Sequence, residues 1–227
     1  MYYKFNFRSG LNVLQLDPEA LFFQYKGRLI HKTWKQIDVF PKAQIKNIQS
    51  WFTHHPEALH ILWTDEDNHA LIKTFYPQLL ETYKALYLPV QKADLARLLY
   101  LHRYGGMYCD LDYEAYSNVF DTLSEKPVQL VRSHSLLNEV TQNSLMVAKQ
   151  LQYPFWINVA NNIKKMQEFG NHGSCQIGSI QCQLFQLMRN NIFLKKGLNV
   201  FITVQYTGPA VLDKTIVTDQ INNVVHD

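Results

Sequence analysis

The chain has 227 residues, enough for one large α/β domain and too few for two. The content of 47% hydrophobic and 18% charged residues is ordinary for a soluble protein, and no apolar run approaches the roughly 20 residues that span a bilayer. A net charge of +3 without a Lys/Arg cluster gives no indication of nucleic-acid binding. We expect one domain over 1–227, with 1–28 as an N-terminal extension.

Cysteine usage indicates a reducing compartment. Cys109, Cys175 and Cys182 form neither a C-x-x-C pair nor an even-numbered framework. Such usage is typical of proteins whose thiols stay reduced. We therefore expect a soluble cytoplasmic protein, and peripheral attachment to a membrane and the loss of an N-terminal Golgi anchor stay open as alternatives.

The predicted elements alternate between strands and helices along the chain. A first helix is predicted to begin at Asp17-Pro18, and another follows the cap pair Thr64-Asp65. Strands are predicted at 29–34, 58–63, 107–109, 128–131, 144–148 and 200–204, and helices at 41–52, 77–86, 90–104, 155–169 and 177–188. The alternation predicts an α/β fold with a mostly parallel central sheet flanked by helices.

Two Asp-x-Asp triplets occur, and they differ in context. Asp65-Glu66-Asp67 opens a predicted helix, so helix capping explains it best. Asp110-Leu111-Asp112 follows an apolar strand, where residues i and i+2 lie on one side of the backbone. Two carboxylates on one side suit a divalent cation that bridges a diphosphate. The alternative is a polar strand end in solvent.

The helix predicted at 90–104 carries two charged residues on apolar faces, Asp94 and Arg97. Charged groups there are costly to bury unless they pair with each other or with a ligand. An i,i+3 salt bridge is the structural alternative. Because Gly105-Gly106 turns the chain from this helix into the strand before Asp110, we expect all three charged groups to converge on a ligand.

Several segments together resemble glycosyltransferase family 32, which includes fungal Golgi mannosyltransferases, bacterial capsular sugar transferases and, distantly, the clostridial glucosylating toxins. The main segment is similar to the family's DXD sugar-binding motif. The similar segments are 92–97, 104–112, 29–35, 62–68 and, more loosely, Thr207-Gly208-Pro209. Each segment alone is weakly specific, and their spaced combination is highly specific.

The resemblance implies a GT-A fold and a nucleotide-sugar donor, either a UDP-sugar or a GDP-sugar. It also implies Mn²⁺ or Mg²⁺ as the cofactor. The reaction implied is transfer of a hexose or N-acetylhexosamine, with retention at the anomeric carbon, to a hydroxyl of a glycan, protein or lipid. A diphosphate leaves easily once a metal neutralises its charge.

Site residues follow from the resemblance by position. Asp112 would bind the metal directly, with Asp110 near the metal and the donor ribose. Asp94 would hold sugar hydroxyls, and Arg97 would contact the donor sugar or phosphate. These four residues are the predicted catalytic set.

Three further residues are predicted to bind the donor. Tyr108 would line the same site, and Trp34 would stack on the nucleotide base, against the alternative of a core tryptophan. Asn143 falls where the family often places a polar donor contact, and a purely structural role is equally open. Members of the family often continue into a segment with a Ser-Trp pair, so we expect a C-terminus that lacks this segment or is truncated before it.

Two other classes stay open. A phosphatase of the haloacid dehalogenase type also places Asp-x-Asp after a strand, but Tyr113-Glu114-Ala115 does not supply the small turn with threonine that it needs. A sugar-nucleotide-binding protein without catalysis is the other class. The histidines His54, His55 and His60 show no metal-ligand spacing and are expected at the surface or at helix ends.

Overall fold

The computed structural model describes residues 4–37, 39–134 and 139–168, together with 201–203 and 211–212. The strands are β1 (Arg8–Ser9), β2 (Leu29–Thr33), β3 (Leu59–Trp63), β4 (Gly106–Cys109), β5 (Glu114–Ala115), β6 (Val128–His134), β7 (Glu139–Ala148), β8 (Phe201–Thr203) and β9 (Val211–Leu212). The helices are α1 (Gly10–Leu14), α2 (Pro18–Gln24), α3 (Ile45–His54), α4 (Asp65–Phe75), α5 (Leu80–Ala85), α6 (Pro89–Tyr104) and α7 (Pro154–Glu168).

A seven-stranded sheet in the order β1-β3-β2-β4-β7-β6-β8 forms the centre of the fold. β1, β3, β2 and β4 run parallel to one another, which confirms the mostly parallel sheet predicted from the sequence. β7 is antiparallel to both β4 and β6, so the two strands predicted at 128–131 and 144–148 form a hairpin rather than a crossover pair. Strands β5 and β9 make a small second parallel sheet.

Helix α6 is the central helix of the fold. It contacts α2, α4 and α7 as well as strands β2, β4 and β7, and its residues from Asp94 to Leu101 are all buried. Its Tyr100 ring stacks on Trp63 of β3 with 4.4 Å between centroids. The interior that surrounds α6 therefore fixes the position of Asp94 and Arg97 relative to the sheet.

The turn from α6 into β4 requires glycine. Gly105 and Gly106 have φ values of 65° and 81°, and a Cβ on Gly106 would lie 2.5 Å from the carbonyl oxygen of Leu29. His31 of β2 locks this turn, because its Nε2–H donates to the Gly105 carbonyl (2.9 Å) while its Nδ1 accepts from Trp63 (3.1 Å). Burial lowers the pKa of His31 to about 4, which keeps the ring neutral.

Some expectations differ from the structure in detail. Thr64 is the N-cap of α4, and Asp67, not Asp65, completes the capping box while also accepting from the backbone of Leu11. His60 is buried within β3 rather than exposed, because its ring stacks on Phe52 of α3 with 4.0 Å between centroids. In the described part of the chain, no helix combines the length and apolar character of a membrane span. The predicted helix 177–188 and the segment 207–209 lie outside the described residues.

Candidate functional site

The Asp110–Asp112 turn lies at the carboxyl end of β4. The backbone N–H of Asp110 donates to Ser144 of β7 (2.8 Å), which holds the first aspartate to the sheet. Helix α3 holds the rest of the turn, because Asn47 Nδ2 donates to the carbonyl of Asp112 (3.0 Å) and Trp51 Nε1 donates to that of Tyr113 (2.7 Å). Both carboxylates are thus presented by a backbone that is fixed on two sides.

The carboxylate of Asp110 is oriented by two buried partners. Tyr108 donates its hydroxyl to Asp110 Oδ1 (2.5 Å), and Arg97 Nη1 lies 3.4 Å from the same oxygen. The guanidinium lies over the Tyr108 ring, 4.4 Å from its centroid. Burial raises the pKa of Tyr108 well above its ordinary value and Asp110 adds to the rise, so the phenol remains a donor at neutral pH.

Arg97 is held by a second carboxylate and by an amide. Its Nη2 lies 3.1 Å from Asp94 Oδ1, and its Nη1 donates to the Asn143 carbonyl (2.9 Å). Asn143 Nδ2 in turn donates to Asp94 Oδ1 (2.9 Å). Burial raises the pKa of Asp94, and Arg97 opposes this effect. The i,i+3 pair predicted as the structural alternative therefore exists, and its guanidinium also reaches Asp110.

A cleft of about 570 Å³ opens beside this network. Five of the residues predicted for the site line it: Trp34, Arg97, Tyr108, Asp110 and Asp112. The other two, Asp94 and Asn143, contact Arg97 without lining the cleft. Trp34 is half-buried, and its Nε1 donates to the carbonyl of Val39 (2.7 Å). The other lining residues described are Thr33, Lys35, Pro41, Gln44, Asp65, Leu88, Pro89, Val90, Ala93 and Leu111.

Asp110 and Asp112 fit a divalent cation that is shared with a phosphate ligand. Burial raises the pKa of Asp112, and the negative charge of Asp110 raises it further, so the two carboxylates repel each other. A cation between them would relieve this repulsion. Among the described residues, no group of three or more His, Cys, Asp or Glu side chains forms a metal cage. Mg²⁺ sites of one or two carboxylates completed by substrate phosphates match this arrangement.

Sequence reasoning missed Lys32, which lies beneath the turn. The side chain is fully buried, and its Nζ donates to Cys109 Sγ (2.9 Å) and to the carbonyl of Asp110 (3.2 Å). It also lies 4.7 Å from the centroid of Trp51. Burial raises the pKa of Cys109 to about 11 although Lys32 opposes the rise. No local sequence signal marks this lysine, since its partners are 77 and 78 residues away.

A family comparison covers the segment that carries Asp94, Arg97, Tyr108, Asp110 and Asp112. Residues 41–129 match the glycosyltransferase sugar-binding region containing DXD motif. A mannosyl phosphorylinositol ceramide synthase of Saccharomyces cerevisiae is 32% identical over 139 residues, which is 60% of this chain and 35% of that protein. Inositol phosphoceramide mannosyltransferase 3 of Schizosaccharomyces pombe is 30% identical, over 61% of this chain and 37% of that protein. An initiation-specific alpha-1,6-mannosyltransferase of Candida albicans is 31% identical, over 52% of this chain and 30% of that protein.

The fold of a solved structure is also similar. PaToxG glycosyltransferase superposes with a TM-score of 0.50 over 83% of this chain and 80% of its own, at 13% identity. This likeness supports the predicted GT-A fold.

Residues 41–129 match the sugar-binding region of one class of proteins, the DXD glycosyltransferases, and the resemblance to that family is confirmed. Within that class, the curated relatives named above are fungal mannosyltransferases, and the chain spans about a third of their length.

Proposed function

We propose that the chain is the donor-binding domain of a metal-dependent, retaining glycosyltransferase. The donor is a nucleoside-diphosphate hexose, with mannose the first sugar to test because the relatives are named for mannosyl transfer. The acceptor is a hydroxyl of a glycan or lipid. One observation carries the proposal: Asp110 and Asp112 open on the same cleft as Trp34, at the carboxyl end of a parallel strand where α/β sheets bind ligands.

The metal and the side chains of the cleft would have different roles in the transfer. A divalent cation, Mn²⁺ or Mg²⁺, held by Asp112 and Asp110 would supply the Lewis acid that neutralises the leaving diphosphate. The chain contributes Arg97, whose guanidinium is held by Asp94 and lines the cleft, as a second positive charge for the donor phosphate or sugar. Tyr108 keeps Asp110 in one orientation by its hydrogen bond.

Base recognition is assigned to Trp34. Its indole lines the cleft and is half exposed, which leaves a flat face available for a uracil or guanine ring. The bond from Nε1 to Val39 limits rotation of the ring, so little entropy would be lost when a base stacks on it.

The stereochemical part of the proposal has its own readout. Retention needs no carboxylate base on the acceptor side, whereas inversion does. Asp65 is the one described acidic residue that lines the cleft besides Asp110 and Asp112. A product with the anomeric configuration of the donor, measured by NMR, supports retention. An inverted product contradicts it and makes Asp65 the candidate base.

Incubation with UDP-sugars and GDP-sugars in the presence of Mn²⁺ tests the function. Release of UDP or GDP supports a transferase, release of inorganic phosphate indicates a phosphatase, and binding without turnover indicates a non-catalytic module. Asp112→Asn should abolish nucleotide release. The matched control is Asp121→Asn, which changes an exposed carboxylate outside the cleft lining and should leave release unchanged.

A further inference from the structure

The mouth of the donor cleft is bordered by exposed apolar side chains. Val39, Tyr87, Leu88 and Val90 are 52%, 90%, 45% and 57% exposed, and we call these four residues the apolar rim. Leu88 and Val90 line the cleft, Tyr87 precedes Leu88, and the carbonyl of Val39 accepts from Trp34 in the cleft wall. The described part of the chain exposes only three other large hydrophobic residues, so exposed apolar surface is concentrated here.

Basic residues accompany the rim. Segments 32–46 and 84–93, which contribute the rim, contain six lysines and a single acidic residue, although the whole chain is nearly balanced with 22 basic and 19 acidic residues. One of these lysines is buried and two pair with glutamates. Of the other three, Lys92 is directed away from the cleft lining, since its Nζ lies over the ring of Tyr83 on α5, 5.6 Å from the centroid. Lys35, which lines the cleft, and Lys42, next to Pro41 of the lining, are exposed and have no acidic partner among the described residues. The mouth thus combines apolar and positively charged side chains.

We propose that the apolar rim, together with Lys35 and Lys42, forms a docking surface for an anionic lipid bilayer. The acceptor is then a membrane lipid whose headgroup hydroxyl enters the cleft. This inference rests on the proposed function. Surfaces that bind bilayers place Leu and Val at the acyl boundary, Tyr at the headgroup level and Lys against anionic headgroups. Two of the relatives are named for phosphorylated inositol ceramides, one as a mannosyl phosphorylinositol ceramide synthase and one as inositol phosphoceramide mannosyltransferase 3.

The same composition argues against a protein partner on this surface. Lysine is depleted at protein–protein interfaces, where its flexible charged side chain is costly to desolvate. At a bilayer the charged end of lysine stays among the headgroups while its stem covers apolar surface. Tyr87, which is almost fully exposed, is also suited to the headgroup layer, because its ring is apolar and its hydroxyl can remain hydrated.

Vesicle flotation of the full chain tests the proposal. We expect the protein to float with vesicles of phosphatidylcholine and phosphatidylinositol, and to float at least about tenfold less with phosphatidylcholine alone or at high salt. Tyr87→Asp should reduce flotation by about tenfold or more, since it replaces an interfacial aromatic with a charge. Phe23→Asp is the matched control, because Phe23 is 74% exposed on α2, away from the cleft lining, and it should leave flotation unchanged.

Each outcome decides the question. Absence of flotation, or equal loss in Tyr87→Asp and Phe23→Asp, overturns the proposal. So does a dimer in solution that Tyr87→Asp dissociates, since the rim would then be an interface between copies. Donor hydrolysis measured without vesicles distinguishes failure of the proposed function from failure of the docking surface. If the wild-type protein floats but does not hydrolyse the donor, the proposed function alone is contradicted. If it hydrolyses the donor but does not float, the docking surface alone is contradicted. Tyr87→Asp should retain vesicle-free hydrolysis.

Discussion

Arg97 links two carboxylates that lie on different elements, Asp94 of its own helix and Asp110 after β4. Its Nη2 lies 3.1 Å from Asp94 and its Nη1 lies 3.4 Å from Asp110, and the guanidinium is almost entirely buried. The buried guanidinium of Arg97 therefore connects helix α6 to the sheet through ion pairs. It also places a fixed positive charge in the wall of the cleft.

Removal of this cation should destabilise the fold strongly. Arg97→Met leaves Asp94 buried without its positive partner, and breaking a buried ion pair in this way costs about 3–5 kcal/mol. Arg28→Met is the control, because Arg28 pairs with Glu57 and Asp121 at the surface and its loss should cost below about 1 kcal/mol. Denaturant unfolding of both variants measures the difference, and equal costs would contradict the account.

Gly106 should tolerate no side chain. Its φ of 81° is strained for alanine, and the added Cβ would meet the Leu29 carbonyl, a backbone atom that cannot move aside. Gly106→Ala should therefore lower the free energy of unfolding by more than about 1 kcal/mol. Gly27→Ala has a similar φ of 71° but meets the ring of Phe22, so it should cost less. Melting temperatures that rank the two variants in the reverse order would show that this turn is less constrained than described.

Buried histidines should make the protein sensitive to acid. Burial lowers the pKa of His31, His55, His60 and His102 to about 4 from 6.5. These histidines take up protons below pH 6.5 in the unfolded chain but only near pH 4 in the folded chain. The free energy of unfolding is therefore unaffected by them above pH 6.5 and decreases as the pH falls from 6.5 towards 4.

Between these two pH values, each such histidine lowers the free energy of unfolding by up to about 1.4 kcal/mol for each unit by which the pH falls. His60→Phe removes one of them and should flatten the dependence of unfolding free energy on pH. An unchanged slope in that variant would mean that His60 titrates normally in the folded state.

Trp34 should act on nucleotide affinity and little on stability. Base–aromatic stacking is worth about 1–3 kcal/mol by alanine substitution in nucleic-acid complexes, so Trp34→Ala should weaken UDP or GDP binding by about tenfold or more. Trp34→Phe keeps a stacking face and loses only the bond to Val39, so it should retain most of the affinity. Fluorescence titration and melting curves decide it: a large fall in melting temperature with affinity retained would assign Trp34 to the core.

Much of the fold follows from local signals in the sequence. The helix predicted at 90–104 is observed as Pro89–Tyr104, and the strand predicted at 58–63 is observed as Leu59–Trp63. Proline at the first turn, the Gly-Gly stop and continuous apolar runs define such elements within a few residues. The antiparallel β6–β7 hairpin was not predicted, because strand direction depends on pairing between distant residues.

The candidate site divides in the same way. Asp110 and Asp112 carry a local pattern, and their position at the strand end follows from it. The side chains that hold this turn carry no such local pattern. Lys32, Asn47 and Trp51 reach it from elements that are 62 to 78 residues distant in sequence. The binding of sugar hydroxyls by Asp94 remains a prediction. Asp94 lies beside Arg97 and outside the cleft lining, so it contacts the cleft through Arg97 rather than directly.

The most direct test of the central claim is donor binding with and without metal. Isothermal titration of the wild-type protein with a nucleoside-diphosphate sugar should show binding in Mn²⁺ that EDTA abolishes, because Asp110 and Asp112, which line the cleft, are proposed to hold the diphosphate through the cation. Asp112→Asn should lose this metal-dependent binding, while Asp121→Asn keeps it. Donor binding of equal affinity in EDTA, or in Asp112→Asn, would contradict the assignment of this turn as the metal and donor site.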